Sequence, residues 1–362
     1  MLVKILAFLL IMVIIFSCDE GEKYSVYHSK YTPNYKLECV DSITYKNTSK
    51  NYLGLIKDIE FWNGYILIID HHFKKLWVFD KKMNLLRSIG KEGRGPEEYT
   101  FPPYICADNK NFMLVDYRTK IINVYDSNLN FIKKLYLPKD IFYMLYAPIK
   151  LKNYFIIPAS SYLSLDLKKN FYVAKSLFVA DSNMNFVKEI LPWDEAYKNE
   201  NVYAIYNKAV LLTKGKANTF FARQQASMLI HYIDSELNII KSFGIKAKFF
   251  KEPPDMKIEN VAKSLDATAE YGSKTTRFEA MGFDSVNNRL VVYYVNLRKE
   301  SWYNRSMLSG THYLQIYNSN YDCIFDDEVD GRLAFVNNEL IYLLTDENPD
   351  FVRIKIYRLR GL

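Results

Sequence analysis

Alternating apolar and polar residues divide most of the chain into short strands separated by turns. The stretch ILIIDHHFKKLWVFDKKMNLLRSI, which starts at Ile66, aligns without gaps with FMLVDYRTKIINVYDSNLNFIKKL, which starts at Phe112, and most apolar positions match in kind. Copies of the second half start at Leu177 and Leu229, and a degraded copy starts at Leu314. Self-similarity of this kind predicts a repeated supersecondary unit.

The repeated unit has the chemistry of a β-hairpin. Its turn positions Asp80, Asp126, Asp181 and Asp234 are 46, 55 and 53 residues apart, and the equivalent Asn318 follows 84 residues later. Asp and Asn suit such turns because their side chains bond nearby backbone groups and tolerate a positive φ. We therefore interpret these residues as turn formers and not as metal ligands, since each begins an exposed hairpin.

Six units of four strands at this period predict an all-β, six-bladed β-propeller. In the first unit the strands are Ile56–Phe61, Tyr65–Asp70, Leu76–Asp80 and Leu85–Ile89. The sixth unit has only three strands before the chain stops. We expect Tyr35–Tyr45 to supply the missing strand and to close the ring, because an open ring would leave an unpaired sheet edge.

Parts of the chain do not fit the repeat. The predicted insertions lie near residues 192–225, 245–278 and 298–312. Within the second of them, Glu252–Tyr271 has apolar residues at helical spacing. The third contains Trp302 and Tyr303, which are candidates for an interaction with a partner. The insertions could cap the propeller channel or simply pack on a blade.

A glycine-rich stretch, GKEGRGPEEYTFP, joins the outer strand of unit one to the inner strand of unit two. It must turn sharply while it crosses one face of the disc, which explains its glycines and prolines. The GxxxxGK[ST] pattern of a phosphate-binding loop is absent. We favour a structural connector over a loop that grips a phosphate.

The N-terminal segment predicts export and lipid attachment. An apolar run of twelve residues, Ile5–Phe16, follows Lys4 and precedes Ser17-Cys18. A spanning helix needs about 20 residues, so the run matches a secretory leader instead. Its end resembles the bacterial lipobox, in which cleavage occurs just before a lipidated cysteine. An ordinary signal peptide or a short membrane anchor is the alternative.

This interpretation divides the chain into three parts. We expect a leader over residues 1–17, a flexible acidic and polar tether over 18–34 and the propeller over 35–362. A lipid on Cys18 would anchor the chain without spanning the bilayer.

The connector IGKEGRGPEEY resembles a signature of the six-bladed β-propeller lipoproteins of Bacteroidetes. The matching residues are Gly90, Gly93, Gly95, Pro96, Glu98 and Tyr99. The resemblance covers essentially the whole chain and is clearest over Lys36–Leu137. It implies an NHL-like propeller that is lipid-anchored to the outer membrane, either in the periplasm or at the cell surface. It implies no reaction, because fold does not determine function.

A candidate ligand-binding face follows from the predicted topology. In each blade, the loop between strands two and three lies on the same face as the connector to the next blade. This places several polar residues near one mouth of the channel: His71, His72, Lys91, Arg94, Tyr117 and Arg118. Such a group could bind an anionic or sugar-like ligand, and the alternative is an ordinary hydrated rim.

Composition excludes several function classes. The net charge is +7, but Lys and Arg are spread along the chain, so a nucleic-acid footprint is missing. Besides Cys18, the cysteines Cys39, Cys106 and Cys323 have no metal-binding spacing, and we expect at most one disulfide. HExxH and GxSxG motifs are absent. We predict no catalytic residue, no metal and no cofactor.

We therefore predict a monomeric lipoprotein that binds a small molecule, a glycan or an envelope protein. The main alternative is a divalent-metal-dependent hydrolase or lyase with its site in the channel. Asp70 and Asp116 could serve as ligands there, although turn capping is the simpler role for strand-end residues. A third possibility is an assembly component whose rim docks an envelope partner.

Overall fold

The computed structural model describes residues 25–95, 97–144, 146–161, 175–197, 202–304 and 308–362. The predicted leader, Cys18 and Pro96 lie outside these residues. Among the described residues, no helix has the length and apolar character needed to cross a membrane.

Six antiparallel sheets of four main strands form the blades of the predicted six-bladed propeller. The first two strands of the chain, β1 (Ser25–His28) and β2 (Tyr35–Lys46), join blades four and six. Blade one contains β3 (Ile56–Trp62), β4 (Tyr65–Asp70), β5 (Lys75–Phe79) and β6 (Leu85–Ile89), and the connector contains β7 (Lys91–Glu92) and β8 (Glu98–Tyr99). Blade two contains β9 (Tyr104–Ala107), β10 (Phe112–Asp116), β11 (Ile121–Tyr125) and β12 (Phe131–Tyr136).

The remaining blades follow in chain order. Blade three contains β13 (Ile141–Met144), β14 (Ile149–Lys150), β15 (Tyr154–Ser161), β16 (Lys175–Asp181) and β17 (Phe186–Pro192). Blade four contains β18 (Val210–Lys214), β19 (Phe220–Gln224), β20 (Ile230–Ile233) and β21 (Ile239–Gly244). Blade five contains β22 (Arg277–Asp284), β23 (Arg289–Leu297), β24 (Gly310–Tyr317) and β25 (Cys323–Val329). Blade six contains β26 (Arg332–Asn337), β27 (Leu340–Glu347) and β28 (Phe351–Gly361).

The predicted N-terminal closing strand is confirmed. β2 pairs antiparallel with β28 from Tyr35 opposite Gly361 to Lys46 opposite Phe351. Blade six therefore has the strand order β2-β28-β27-β26, with the N-terminal strand outermost. This pairing satisfies the backbone groups along the edge that an open ring would leave exposed.

The second strands of the blades are buried on both faces. All five residues of β10 are buried, and so are Ile66–Asp70 in β4. Each blade lies between two neighbours, so both faces of its sheet contact protein. This arrangement explains why FMLVD and ILIID are continuous apolar runs that end in a capping Asp.

The repeated hairpins share one turn geometry. In blade two, Asp126 Oδ1 accepts hydrogen bonds from the backbone N–H groups of Asn128 (2.9 Å) and Asn130 (2.8 Å). The residue before the final Asn or Asp of the turn has a positive φ in all five copies: Met83 (63°), Leu129 (66°), Met184 (67°), Leu237 (72°) and Tyr321 (66°). The first four of these side chains are buried. Burial offsets the steric cost of a left-handed backbone, which is about 1–2 kcal/mol for a residue other than glycine.

The predicted tether is too long. Ser25–His28 forms β1, which pairs in parallel with β21 and becomes a fifth strand on blade four. Tyr27 Oη donates to Asp322 at 2.9 Å, and Thr32 N donates to the Cys323 carbonyl at 2.8 Å. The folded part of the chain thus begins by Ser25. The segment lies outside the repeat and depends on distant partners, so local sequence patterns did not reveal it.

The predicted insertion at 192–225 is also too long, because β18 and β19 are regular strands of blade four. The insertion itself contains a 3₁₀ turn at Glu195–Tyr197 and a short helix at Val202–Tyr206. The second insertion contains the helices Ile258–Ala262 and Leu265–Ser273.

The third insertion contains the helix Lys299–Asn304, which packs on the second insertion. A Cβ on Gly272 would lie 2.0 Å from Trp302 Cζ2, so this contact requires a glycine. Trp302 is therefore a packing residue. The Tyr303 ring stays 44% exposed, while its Oη donates to Asp266.

We predict that Tyr45→Ala weakens the ring closure. Tyr45 is 8% exposed, its ring lies 4.9 Å from that of Phe79, and its Oη donates to the Asn51 carbonyl at 2.9 Å. Removing a buried aromatic ring should lower the free energy of unfolding by about 3 kcal/mol. Denaturant titration measures the change. Tyr52→Ala is the control, since Tyr52 is 40% exposed, and equal losses for both variants would contradict the prediction.

Candidate functional site

The glycine-rich connector is a packed link between blades one and two. Gly90 has φ +83°, and a Cβ there would lie 2.6 Å from Tyr99 Cε2. The Tyr99 ring is buried, and its Oη lies 3.2 Å from Tyr125 Oη. A loop that binds phosphate must offer unpaired backbone N–H groups. The Gly95 N–H instead donates to Glu98 Oε2 at 2.7 Å, and the Gly93 N–H donates to the Tyr99 carbonyl.

Strand order defines two faces of the disc. We call the face with the Asp70–Lys75 loop and the Gly90–Pro102 connector the mouth face, and the face with the repeated Asp80-type turns the hairpin face. The insertions at 193–209, 245–276 and 298–309 connect strands on the mouth face. The described parts of these insertions lie against blades four and five.

Three of the predicted ligand-face residues meet around Phe101, a connector residue. The Arg118 guanidinium carbon lies 4.5 Å from the centre of the Phe101 ring. The rings of Tyr117 and His71 approach the same ring edge-on, at 5.2 and 6.1 Å between centroids. The structure thus gathers His71, Tyr117 and Arg118 at the mouth.

The other three predicted residues have different surroundings. Lys91 Nζ forms an ion pair with Glu98 Oε1 at 3.1 Å. The exposed His72 ring packs edge-on against Phe73, with 4.8 Å between centroids. Arg94 is exposed on the connector. We restrict the candidate site to the group around Phe101.

The sequence analysis missed Lys57, which completes this group. Its Nζ lies 3.7 Å from the centre of the Tyr104 ring and 5.1 Å from that of Phe101, and it donates to the Pro102 carbonyl at 2.7 Å. The sequence pattern that indicates this residue is the inner strand IKDIEFW, which has three charged residues among apolar ones. A strand between two blades has no room for charge unless one edge faces a hydrated channel.

A cavity of about 210 Å³ lies in the channel beneath this group. Its polar lining includes Lys57, Asp58, Tyr146, Glu279, Tyr293 and Arg332. Lys57, Glu279 and Arg332 lie near the starts of the inner strands of blades one, five and six, which places the cavity toward the mouth face. Tyr146 Oη donates to the Glu279 carbonyl and so links the entry to blade three with blade five.

Enclosure shifts the pKa values of the cavity residues. Burial lowers the pKa of Lys57 to about 8, although Asp58 and Asp116 act in the opposite direction. Burial raises the pKa of Asp58 and of Glu279, and the nearby guanidinium groups of Arg277 and Arg332 limit the shift at Glu279. Perturbed groups of this kind inside a cavity mark a candidate functional site.

A second cavity, of about 370 Å³, lies toward the hairpin face. Glu60, Asp108 and Lys214 line it together with aromatic residues. Protein surrounds the Glu60 carboxylate within the channel while water still reaches it, and this enclosure raises its pKa. The Lys214 amine donates to the Ala107 carbonyl.

Asp70 and Asp116 serve as turn caps in the structure. Asp70 Oδ1 accepts from the N–H groups of His72 (2.8 Å) and Phe73 (3.0 Å), while Asp116 Oδ1 accepts from that of Arg118 (3.0 Å). Across the described ranges, no three His, Cys, Asp or Glu side chains converge as metal ligands. The alternative of a metal-dependent hydrolase or lyase therefore gains no support from these residues.

Comparison with known proteins agrees with this architecture. Residues 28–318 match the model of the family DUF5128, described as a 6-bladed beta-propeller. The chain belongs to this family. No curated protein matches the sequence.

Solved structures share the fold at low sequence identity. A member of the DUF4221 family from Bacteroides vulgatus aligns with a TM-score of 0.70 and 12% identity, over 91% of this chain and 100% of its own. A candidate exported protein from Bacteroides fragilis aligns with a TM-score of 0.60 and 15% identity, over 93% of this chain and 100% of its own. These similarities support the fold and no particular activity.

We predict that Gly90→Ala destabilises the propeller. The alanine would have to keep a left-handed φ beside Tyr99, so we expect the free energy of unfolding to fall by about 1–3 kcal/mol. Thermal and denaturant unfolding measure this loss. Gly361→Ala is the matched control, because a Cβ there is 4.0 Å from its nearest neighbour. An unchanged stability for Gly90→Ala would refute the packed-connector interpretation.

We also predict a pH signature for Lys57. The pKa of Lys57 is about 8 in the folded state and 10.5 ordinarily. Burying the charged amine therefore lowers the free energy of unfolding by its full amount below pH 8, and this loss disappears as the pH rises to 10.5. Relative to Lys57→Met, the wild type should therefore gain stability across that interval. Denaturant midpoints of both proteins measure the difference. Lys133→Met, which removes an exposed lysine of an outer strand, is the matched control, and the same difference from the wild type for both variants across that interval would contradict the prediction.

Proposed function

We propose that this propeller is an exported binding protein that holds a small anionic ligand at its mouth. The observation that carries the proposal is the grouping of Lys57, Arg118 and His71 with the Phe101 and Tyr117 rings at the entrance to the channel cavity. Aromatic walls with a few directed polar groups are typical of small-molecule sites.

The ligand chemistry follows from the exposed groups. Arg118 rests on the Phe101 ring and remains exposed, so its N–H groups are presented to the solvent. Guanidinium groups bind carboxylates and phosphates in a bidentate manner. The half-buried Phe101 and Tyr117 side chains provide apolar surface for the C–H groups of a sugar. An acidic sugar satisfies both features, and a cavity of about 210 Å³ suits a ligand of that size better than a long polymer.

We infer that the chain reaches its site of action as a lipoprotein. The apolar run Ile5–Phe16 followed by Ser17-Cys18 supports lipid attachment at Cys18. The similarity to a candidate exported protein of Bacteroides fragilis supports export. Anchoring at the outer membrane would place the mouth where envelope sugars occur.

The ligand proposal predicts a selective response to acidic sugars. Hexuronic acids and hexose phosphates should raise the melting temperature, because they bind the native state alone, and neutral hexoses should not. Arg118→Ala should weaken binding by about ten-fold or more in isothermal titration calorimetry. Arg94→Ala is the matched control on the connector. Failure of every acidic probe, or equal losses in the two variants, would argue against the site.

The anchoring proposal predicts that radiolabelled palmitate is incorporated into the wild-type protein in a bacterial host. Cys18→Ser should abolish the label and leave the leader uncleaved, because the peptidase acts only before a lipidated cysteine. Cys39→Ser, which removes an exposed cysteine of the folded domain, should retain the label. Processing of Cys18→Ser at the normal position would indicate an ordinary signal peptide.

A further inference from the structure

We propose that the hairpin face of the propeller lies against the lipid bilayer, so that the mouth opens away from the membrane. This inference rests on the proposed lipid at Cys18. It adds an orientation, which the sequence alone does not supply, and it assigns a membrane contact to one face of the disc.

The tether joins the domain at one defined end of β1. β1 runs parallel to β21, with Ser25 opposite Lys241 and His28 opposite Gly244. β21 starts just after the hairpin turn at Asp234 and ends at the mouth face. Ser25, the first described residue, therefore lies at the hairpin-face end of β1.

The tether between Cys18 and β1 is short. Ser25 is seven residues beyond Cys18, and a fully extended chain spans at most about 3.6 Å per residue, or about 25 Å in all. Hydrogen bonds hold the segment after β1 in place, since the backbone N–H of Lys30 donates to Asp322 Oδ1 at 2.9 Å. The tether therefore keeps the edge of blade four within about 25 Å of the bilayer, and the hairpin-face end of β1 is the end nearest to the lipid along the chain.

Four outer strands share an exposed apolar residue near their hairpin-face ends. In blades one to four, the outer strand begins with two apolar residues followed by a basic residue: Leu85-Leu86-Arg87, Phe131-Ile132-Lys133, Phe186-Val187-Lys188 and Ile239-Ile240-Lys241. The middle apolar side chain is 40–51% exposed in each case. Single exposed apolar residues are common, but four equivalent ones form a repeated surface.

This surface suits a membrane. Apolar side chains at the headgroup level and adjacent cations that attract anionic lipids are the two features of interfacial binding. The pattern changes on blade five, where β25 begins Cys323-Ile324-Phe325-Asp326 and all four residues are buried. The proposed contact surface is thus confined to blades one to four. Blade four is also the blade that β1 and the tether join.

The orientation can be measured with fluorescent reporters. The lipidated mature chain, in a Cys39→Ser background, receives one cysteine through either Lys133→Cys on the hairpin side or His72→Cys on the mouth face. Cys106 and Cys323 are buried, so the dye should attach to the introduced site. The protein is then reconstituted into vesicles of phosphatidylethanolamine with some phosphatidylglycerol that carry a headgroup nitroxide quencher.

We expect several-fold stronger quenching at position 133 than at position 72. Replacing Leu86, Ile132, Val187 and Ile240 by serine should reduce this difference. Leu265→Ser, which alters a 60% exposed apolar residue on a mouth-face insertion, should leave it unchanged. Equal quenching at the two positions, or stronger quenching at position 72, would overturn the orientation.

Lipid analysis of the same samples identifies which step fails. If Cys18 carries no lipid and neither reporter is quenched, both the anchoring and the orientation are wrong. If the lipid is present and the two reporters are quenched equally, the anchoring stands and the orientation is wrong. Ligand binding in detergent is measured separately, so the proposed site at the mouth is tested independently of both.

Discussion

The pairing of β2 with β28 is the constraint on which the rest of the structure depends. Each blade buries both faces of its sheet against its neighbours, so a gap in the ring would expose two apolar faces at once. The N-terminal strand prevents this gap by pairing along the whole length of the last strand. The channel, its charged lining and the mouth keep their geometry only while the six blades remain closed around them.

Closure also accounts for the position of the charged residues. The inner strands line a channel, which is the one place within the ring where carboxylates and cations can keep some contact with water. Lys57, Asp58 and Glu60 occupy successive parts of β3 along this channel. The aromatic side chains of Phe101 and Tyr104 cover the Lys57 amine at the mouth end. The candidate site is thus a consequence of how the ring is built. It lies at blades one and two, whereas the insertions lie against blades four and five.

Features that depend on local residues could be predicted from the sequence. The repeated turns, the strands of blade one and the glycine-rich connector each follow from chemistry within a dozen residues, and the missing outer strand of blade six followed from counting strands. Apart from that closing strand, features that depend on distant partners were missed. Ser25–His28 becomes a strand only because β21 offers it an edge, and Lys57 becomes a site residue only because connector residues surround it. The predicted face contained six residues, and tertiary packing brought three of them together.

The N-terminal origin of the closing strand has a consequence for the order of folding. β2 precedes blade one in the chain, while its partner β28 is the final strand of blade six. The two can meet only after all six blades have been synthesised, and such long-range pairings form slowly. An exported chain would therefore cross the membrane with its ring open and close it on the far side. Until then its first and last blades present free edges, which makes this interval the time of greatest risk of aggregation.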